Sequence, residues 1–488
     1  MAAGHPLTAQ AAADVLRAGG NAVDAAVAAM LTSWVAEPLL TGPGAGGYMM
    51  VAEPGADPVL LDFFVAAPGH GFRVEDRAPL VPVEVDFGGD ARQIFHVGAA
   101  SCGAYGNPAG IDAAMRRWGS IPLAELAAPA AALARDGVTI NAQQAEVIHL
   151  LEVILRTTPE CEAIYAPASD LLGIEGRWRD DDLAATIERL GAEGARPFYE
   201  GEIAQAVASW IAGRGGALTI EDLRRYEPIE RAPLRVRYRG RDVHTNPPPS
   251  AGGILLALAL GRLDAQPGPP SLSEIVVAME EAQSERTPEF LDGLAEEGFA
   301  ARFLDSRLGA TTHISVLDGA GRAVSVTCTN GEGSGIVVPG TGIHLNNIMG
   351  EEDLSPLGFH HAPPGRRMPS MMSPTVVAGA DGKIQIALGS SGSNRIRSAL
   401  LQTIVGVVDH GLPPAAALAE PRVHFESGVI YTEPGIPLDE LRSDPHEIQT
   451  FRAKSMFFGG VQIVGCDGQT GELLGAGDPR RGGVAVAA

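Results

Sequence analysis

Apolar residues recur at three- and four-residue intervals through the first third of the chain. Residues 7–18 and 21–36 carry them at helical spacing, with Gly19-Gly20 between them as a natural stop. The same spacing predicts helices at 111–118, 123–136, 142–155, 180–190, 202–213 and 254–263. Residues 48–52 read as a short strand after a glycine-rich turn at 41–47, and 234–238 and 242–245 as strands around Arg239-Gly-Arg. Residues 266–270 and 284–298 are polar or charged, which predicts a mobile connector ending just before Thr311. From Thr311 the period shortens to two. Strands are expected at 312–317, 323–329, 375–378 and 384–388, then a helix at 397–410 and strands at 429–432 and 460–466. Helix-rich first and strand-rich later, without alternation, predicts an α+β fold rather than a doubly wound sheet.

Composition narrows the function classes. With 45% hydrophobic and 19% charged residues over 488 positions, the chain is a folded globular protein with room for two or three domains. A net charge of −23 repels polyanions, so no nucleic acid partner is expected. Cys102, Cys161, Cys328 and Cys466 are far apart, with no CxxC and no paired histidine spacing, so neither a disulfide framework nor a metal site is expected, and no cofactor. No run reaches the roughly 18 uncharged residues of a membrane helix, and the first residues lack a basic and then apolar leader, so a cytoplasmic protein without membrane contact is expected. The glycine run at 41–47 lacks the Lys-Ser/Thr of a phosphate-binding loop and reads as close backbone packing.

The candidate chemistry lies in Thr311-Thr312-His313, which opens a strand, and in Thr327-Cys328-Thr329-Asn330-Gly331-Glu332-Gly333-Ser334-Gly335 after it. Around these residues the chain resembles the gamma-glutamyltransferase (gamma-glutamyltranspeptidase, glutathione hydrolase) family of N-terminal-nucleophile hydrolases. Gly19-Gly-Asn-Ala-Val-Asp-Ala-Ala-Val, Gly44-Ala-Gly-Gly-Tyr-Met, Pro247-Pro-Pro-Ser-Ala-Gly-Gly and Thr311-Thr-His-Ile-Ser-Val carry the likeness, in that order. Gly342-Ile-His-Leu-Asn-Asn, Ser373-Pro-Thr, Gly389-Ser-Ser-Gly-Ser-Asn-Arg-Ile and Asp478-Pro-Arg-Arg continue it. The resemblance implies a four-layer αββα sandwich and a chain that cuts itself before Thr311. A large segment, 1–310, and a small segment, 311–488, then stay together as a heterodimer that can pair further. The substrate would be a small γ-glutamyl or other acyl amide.

The chemistry is physically reasonable. A threonine hydroxyl is a poor nucleophile until a base takes its proton. Scission would give Thr311 a free α-amino group, whose reference pKa of about 8 suits a general base near working pH. By position in the resemblance, Thr329 orients the nucleophile, and Gly392 and Ser393 supply the oxyanion-hole N–H groups. Asn330 falls one residue from the family's substrate-amine asparagine. Glu351 matches the acidic residue that holds the substrate α-amino group; with Glu352 it is read first as amine recognition, then as a solvated acidic turn, and last as a metal site. Ser370 matches the first of a serine pair that contacts the α-carboxylate.

The chain departs from the family at the carboxylate end. Phe64 stands where the family has its carboxylate-binding arginine, Met371 replaces the second serine, and Ser393 replaces the second oxyanion glycine. Each lost charge-assisted contact costs about 1.5–3 kcal/mol. Arg367 and Arg395 could substitute, though each reads more readily as a structural arginine. The segment between Asp353 and Ser370 is too short for the long lid of some relatives, which favours water as the acceptor. His313 reads as a strand residue facing away from substrate, and Cys328 as pointing to the opposite face from the threonines flanking it. The leading expectation is a γ-glutamyl amide hydrolase or transferase. The alternatives are a cephalosporin- or glutaryl-acylase-like enzyme of the same mechanism, and a non-catalytic scaffold.

Overall fold

The computed structural model describes residues 1–86, 92–284, 311–355, 358–441, 445–467 and 470–488. Two antiparallel sheets lie at its centre. The first runs in the order Val484–Ala485, Ala2–Ala3, Thr312–Leu317, Ala323–Thr329, Gly46–Ala52, Val59–Phe63, Ile229–Arg231. The second runs Leu473–Gly477, Gly460–Cys466, Ile384–Ser391, Thr375–Ala378, Arg241–Thr245, Leu234–Tyr238. Strands from before and after Thr311 are neighbours in both sheets, so the two segments share one hydrogen-bonded framework.

Side-chain alternation sorts the layers. Met49, Val51, Ile314, Val316, Val324 and Val326 face helices Pro6–Arg17, Ala22–Ala36, Asn107–Trp118 and Leu123–Asp136 in one apolar core. Tyr48, Met50 and Leu60 face the second sheet, whose own Val376, Leu388 and Ile463 join helices Ala251–Asp264, Leu272–Ser284 and Arg395–Val408 in another. This is the αββα sandwich. Helix Ala22–Ala36 is buried along all 15 residues and so has no polar face; Asn21 and Asp24 close its start in a capping box.

Polar side chains line part of the gap between the sheets, and several of them bond across it. Ser315 Oγ donates to Gln462 O (3.1 Å) and Ser325 Oγ to Leu388 O (2.9 Å). His313 bonds Thr327 Oγ1 (2.8 Å) and Ser315 Oγ (2.9 Å).

Several expectations need correction. The connector region holds a helix, Leu272–Ser284, whose Ile275, Val276, Met279 and Ala282 form a buried stripe; the rest of the expected connector, 285–310, lies outside the described residues. The helix expected over 142–155 breaks at Leu151 into Ala142–Leu150 and Glu152–Leu155. The strand expected at 384–388 continues to Ser391, and the helix after it starts at Arg395. Among the described residues no helix is long and apolar enough to cross a membrane.

Candidate active site

Strand register places the threonines. Thr312 pairs with Cys328 and His313 with Thr327, so one further step sets Thr311 opposite Thr329. The second sheet follows in parallel: Ser325 reaches Leu388, and the His313 ring fills the space where a Gly389 side chain would stand. Each step toward Thr311 on one sheet is therefore a step toward Gly392 on the other. Thr311, Thr329 and the Gly392–Ser393 turn therefore lie toward the same end of the sandwich.

Thr311 is 1% exposed, and its hydroxyl has no hydrogen-bond partner among the described residues. Thr329 Oγ1 accepts the Gly331 N–H (2.8 Å), which fixes the loop after the strand. His313 points into the gap between the sheets, on the face that alternation assigns to Thr311. Both ring nitrogens are engaged, and burial lowers its pKa to about 3, so it stays neutral and structural. Cys328 lies in the helix-side core, and burial raises its thiol pKa.

The turn after Ile384–Ser391 has φ +116° at Gly392 and +59° at Ser393. At Gly392 a side chain is excluded twice over, since a Cβ would also lie 2.6 Å from Gly459 Cα. The turn's carbonyls accept from Arg395 N and Ile396 N, at 3.1 Å each, and start helix Arg395–Val408. The N–H groups of Gly392 and Ser393 thus precede a helix N-terminus, where the dipole favours developing negative charge. A buried ion network holds this turn from behind. Arg422 binds Asp478 (2.6 Å) and Phe458 O (3.0 Å), and Arg480 binds Glu433. Burial opposes the Asp478 charge, but Arg422 and Arg480 outweigh it and keep that carboxyl below its ordinary pKa.

The residues expected to bind the acyl group are set differently. Phe64 is fully buried and stacks on Tyr48 (centroids 5.6 Å apart); Met371 is fully buried in the same apolar core. Ser370 Oγ accepts from Met372 N (3.0 Å), leaving its proton free to donate. Asn330 Nδ2 donates to His344 O (3.2 Å), while Asn330 Oδ1 is buried without a partner among the described residues. Glu351 is 5% exposed, with its carboxyl against Gly331 beside Asn347. Glu352 points outward, its side chain 64% exposed and 3.9 Å from His96, and so stands apart from that group. Both arginines have structural partners: Arg367 pairs with buried Asp62 (3.3 Å) over the Tyr226 ring, and Arg395 donates to Phe457 O (2.8 Å) and lies over the Phe457 ring. Among the described residues no cluster of three His, Cys, Asp or Glu could hold a metal.

Sequence reading missed Glu37. This carboxyl accepts Thr312 Oγ1 (2.9 Å) and Thr8 Oγ1 (3.0 Å), and burial raises its pKa to about 7 against the pull of those hydroxyls and Arg481. The available signal was an acidic residue ending a helix with no exposed face.

The family model described as Gamma-glutamyltranspeptidase matches residues 8–297 and 284–488. The chain belongs to the gamma-glutamyltranspeptidase family. Within it, the chain is 30% identical over 547 residues to the glutathione hydrolase proenzyme of Bacillus subtilis (strain 168), covering 100% of this chain and 91% of that one. It is 31% identical to the acylase ACY 1 proenzyme of Pseudomonas sp. (strain V22), covering 89% and 83%. Among solved structures, the cephalosporin acylase from Bacillus halodurans superposes with a TM-score of 0.85 at 26% identity, covering 100% of this chain and 95% of that one. Gamma-glutamyltranspeptidase from Helicobacter pylori gives 0.52 at 27% identity, covering 61% and 88%.

Proposed function

We propose that this protein is a self-processing amide hydrolase and acyl transferase whose nucleophile is Thr311, released as a new N-terminus by scission of the bond before it. The observation that carries this reading is the buried, unpartnered Thr311 hydroxyl at the sandwich end that also holds Thr329 and the Gly392–Ser393 turn. The Thr311 α-amine takes the hydroxyl proton as Oγ1 attacks the substrate carbonyl. Negative charge collects on that oxygen, and the N–H groups of Gly392 and Ser393 receive it; one such donor is worth about 2.7–4 kcal/mol. The amine then passes its proton to the leaving nitrogen, leaving an acyl ester on Thr311. Water, or an amine acceptor, releases the acyl group. The fragments 1–310 and 311–488 stay together because strands of each are hydrogen-bonded neighbours of the other in both sheets.

The acyl group is of γ-glutamyl type, as the name of the Bacillus relative suggests, with Glu351 and Asn330 on the α-amine side. A second reading is supported by Phe64 and Met371: apolar side chains at positions where the resemblance places carboxylate contacts favour a glutaryl-type acyl group, which has no α-carboxylate. Rates with γ-glutamyl-p-nitroanilide and glutaryl-p-nitroanilide separate the two. A γ-glutamyl preference upholds the first reading, and a glutaryl preference of tenfold or more replaces it with the second.

A further inference from the structure

One buried acid at the nucleophile end has no part in the chemistry above. Glu37 follows the last residue of helix Ala22–Ala36 and is 7% exposed. Its two oxygens are used separately, Oε1 by Thr312 of the nucleophile strand and Oε2 by Thr8 of helix Pro6–Arg17. The carboxylate therefore ties the residue after Thr311 to the outer helical layer. The ionised carboxyl offers each hydroxyl a full acceptor oxygen, whereas protonation turns one of those oxygens into a donor and weakens that acceptor. Glu37 also lines a largely apolar pocket with His5, Leu40, Gln144, Trp178 and Arg481.

We propose that Glu37 is a positioning residue for the nucleophile: as a carboxylate it fixes the start of the Thr311 strand through Thr312, and protonation releases that hold. The inference rests on Thr311 being the nucleophile. Each surrounding element contributes to the electrostatics. His5 caps the adjacent helix and is kept neutral by burial, which lowers its pKa to about 4. Arg481, from the turn after Asp478, favours the Glu37 charge, and is itself acted on by Arg395, Asp478, Glu332 and Glu146. Burial is the largest influence and opposes the charge, placing the Glu37 transition at about pH 7, within the working range.

The folded-state pKa of about 7 lies above the ordinary 4.5, so the native state holds this proton more tightly than the unfolded chain. That stabilisation is complete below about pH 4.5 and is lost as pH rises through about 7. A merely structural Glu37 and a positioning Glu37 then differ in a measurable way.

The test is Glu37→Gln in the full-length, self-cleaved enzyme, with kcat and kcat/KM for an acyl p-nitroanilide followed from pH 4.5 to 9. Expected are a kcat plateau at least tenfold lower with KM within about twofold, and convergence with wild type at acid pH. The acid-limb slope of log kcat/KM should fall from two, for Thr311 amine plus Glu37, to one. Melting temperature at pH 8 should rise, with the gain shrinking toward pH 4.5. Thr312→Val should reproduce the lowered plateau, and Thr312→Ser should rescue it. An unchanged slope and plateau in Glu37→Gln would overturn the proposal, as would a lowered melting temperature at pH 8. If Glu37→Gln yields no folded protein, the Thr312 pair decides, with equal rates for Val and Ser counting against the proposal. Activity surviving in Thr311→Ala would instead reject the nucleophile assignment beneath it.

Discussion

Two parts of one site follow different rules. At the end we assign to the nucleophile, the arrangement rests on backbone geometry and hydroxyls: the Thr311–Thr329 register, a turn with two positive φ values, and buried ions nearby. On the side we assign to acyl binding, choice would rest on side chains, and there Phe64 and Met371 belong to the apolar core. On the proposed reading the two are separable: the sandwich itself sets the nucleophile end, and the side chains at positions such as 64 and 371 set the acyl choice. The two relatives at about 30% identity, one named a glutathione hydrolase and one an acylase, illustrate that separation.

The comparison can be broken first at the nucleophile. Thr311→Ala should abolish self-cleavage on gels and lower hydrolysis on the order of 10⁵-fold. Next comes the turn. Ser393→Pro, which removes a backbone donor and cannot adopt φ +59°, should cost at least roughly 10²–10³ in kcat. Ser393→Gly keeps the donor and should stay within about threefold, since the account uses the N–H and not the side chain. On the acyl side, Met371→Ser should raise kcat/KM for γ-glutamyl over glutaryl donors by about tenfold. It should also destabilise the fold by about 2–4 kcal/mol in urea titration, because a fully buried side chain is cut down.

The smallest effect concerns pH. His313 has a folded-state pKa of about 3, below the ordinary 6.5, so the unfolded chain binds its proton more readily. Its contribution to stability is present above about pH 6.5 and is lost as pH falls toward 3. Replacing His313 by Gln should flatten the fall of melting temperature in that window and leave the acid limb of kcat where it was. A shifted limb would mean the imidazole takes part in catalysis.

Much of this was legible in the sequence because several elements obey one clean period. Strands Thr312–Leu317, Ala323–Thr329 and Gly460–Cys466 and helix Leu123–Asp136 coincide with their patterns. Ala2–Ala3 is too short to show any period, and Val59–Phe63 reads as a plain apolar run because both its faces are covered. The threonines, the glycine turn and the substitutions at 64 and 371 could be placed by resemblance to a family. Glu37 could not. Its role exists only because strand register brings Thr312, 275 positions later, to a carboxyl at a helix end. Arg367 reads as a structural arginine in the sequence, but only the fold names Asp62 as its partner.

The most direct test of the central claim is intact-mass and N-terminal analysis of active protein after reaction with an electrophilic substrate analogue. The account predicts a fragment that begins at Thr311 and carries the label on that residue. A catalytically active chain that is uncut at Thr311, or a label on any other residue, would contradict it.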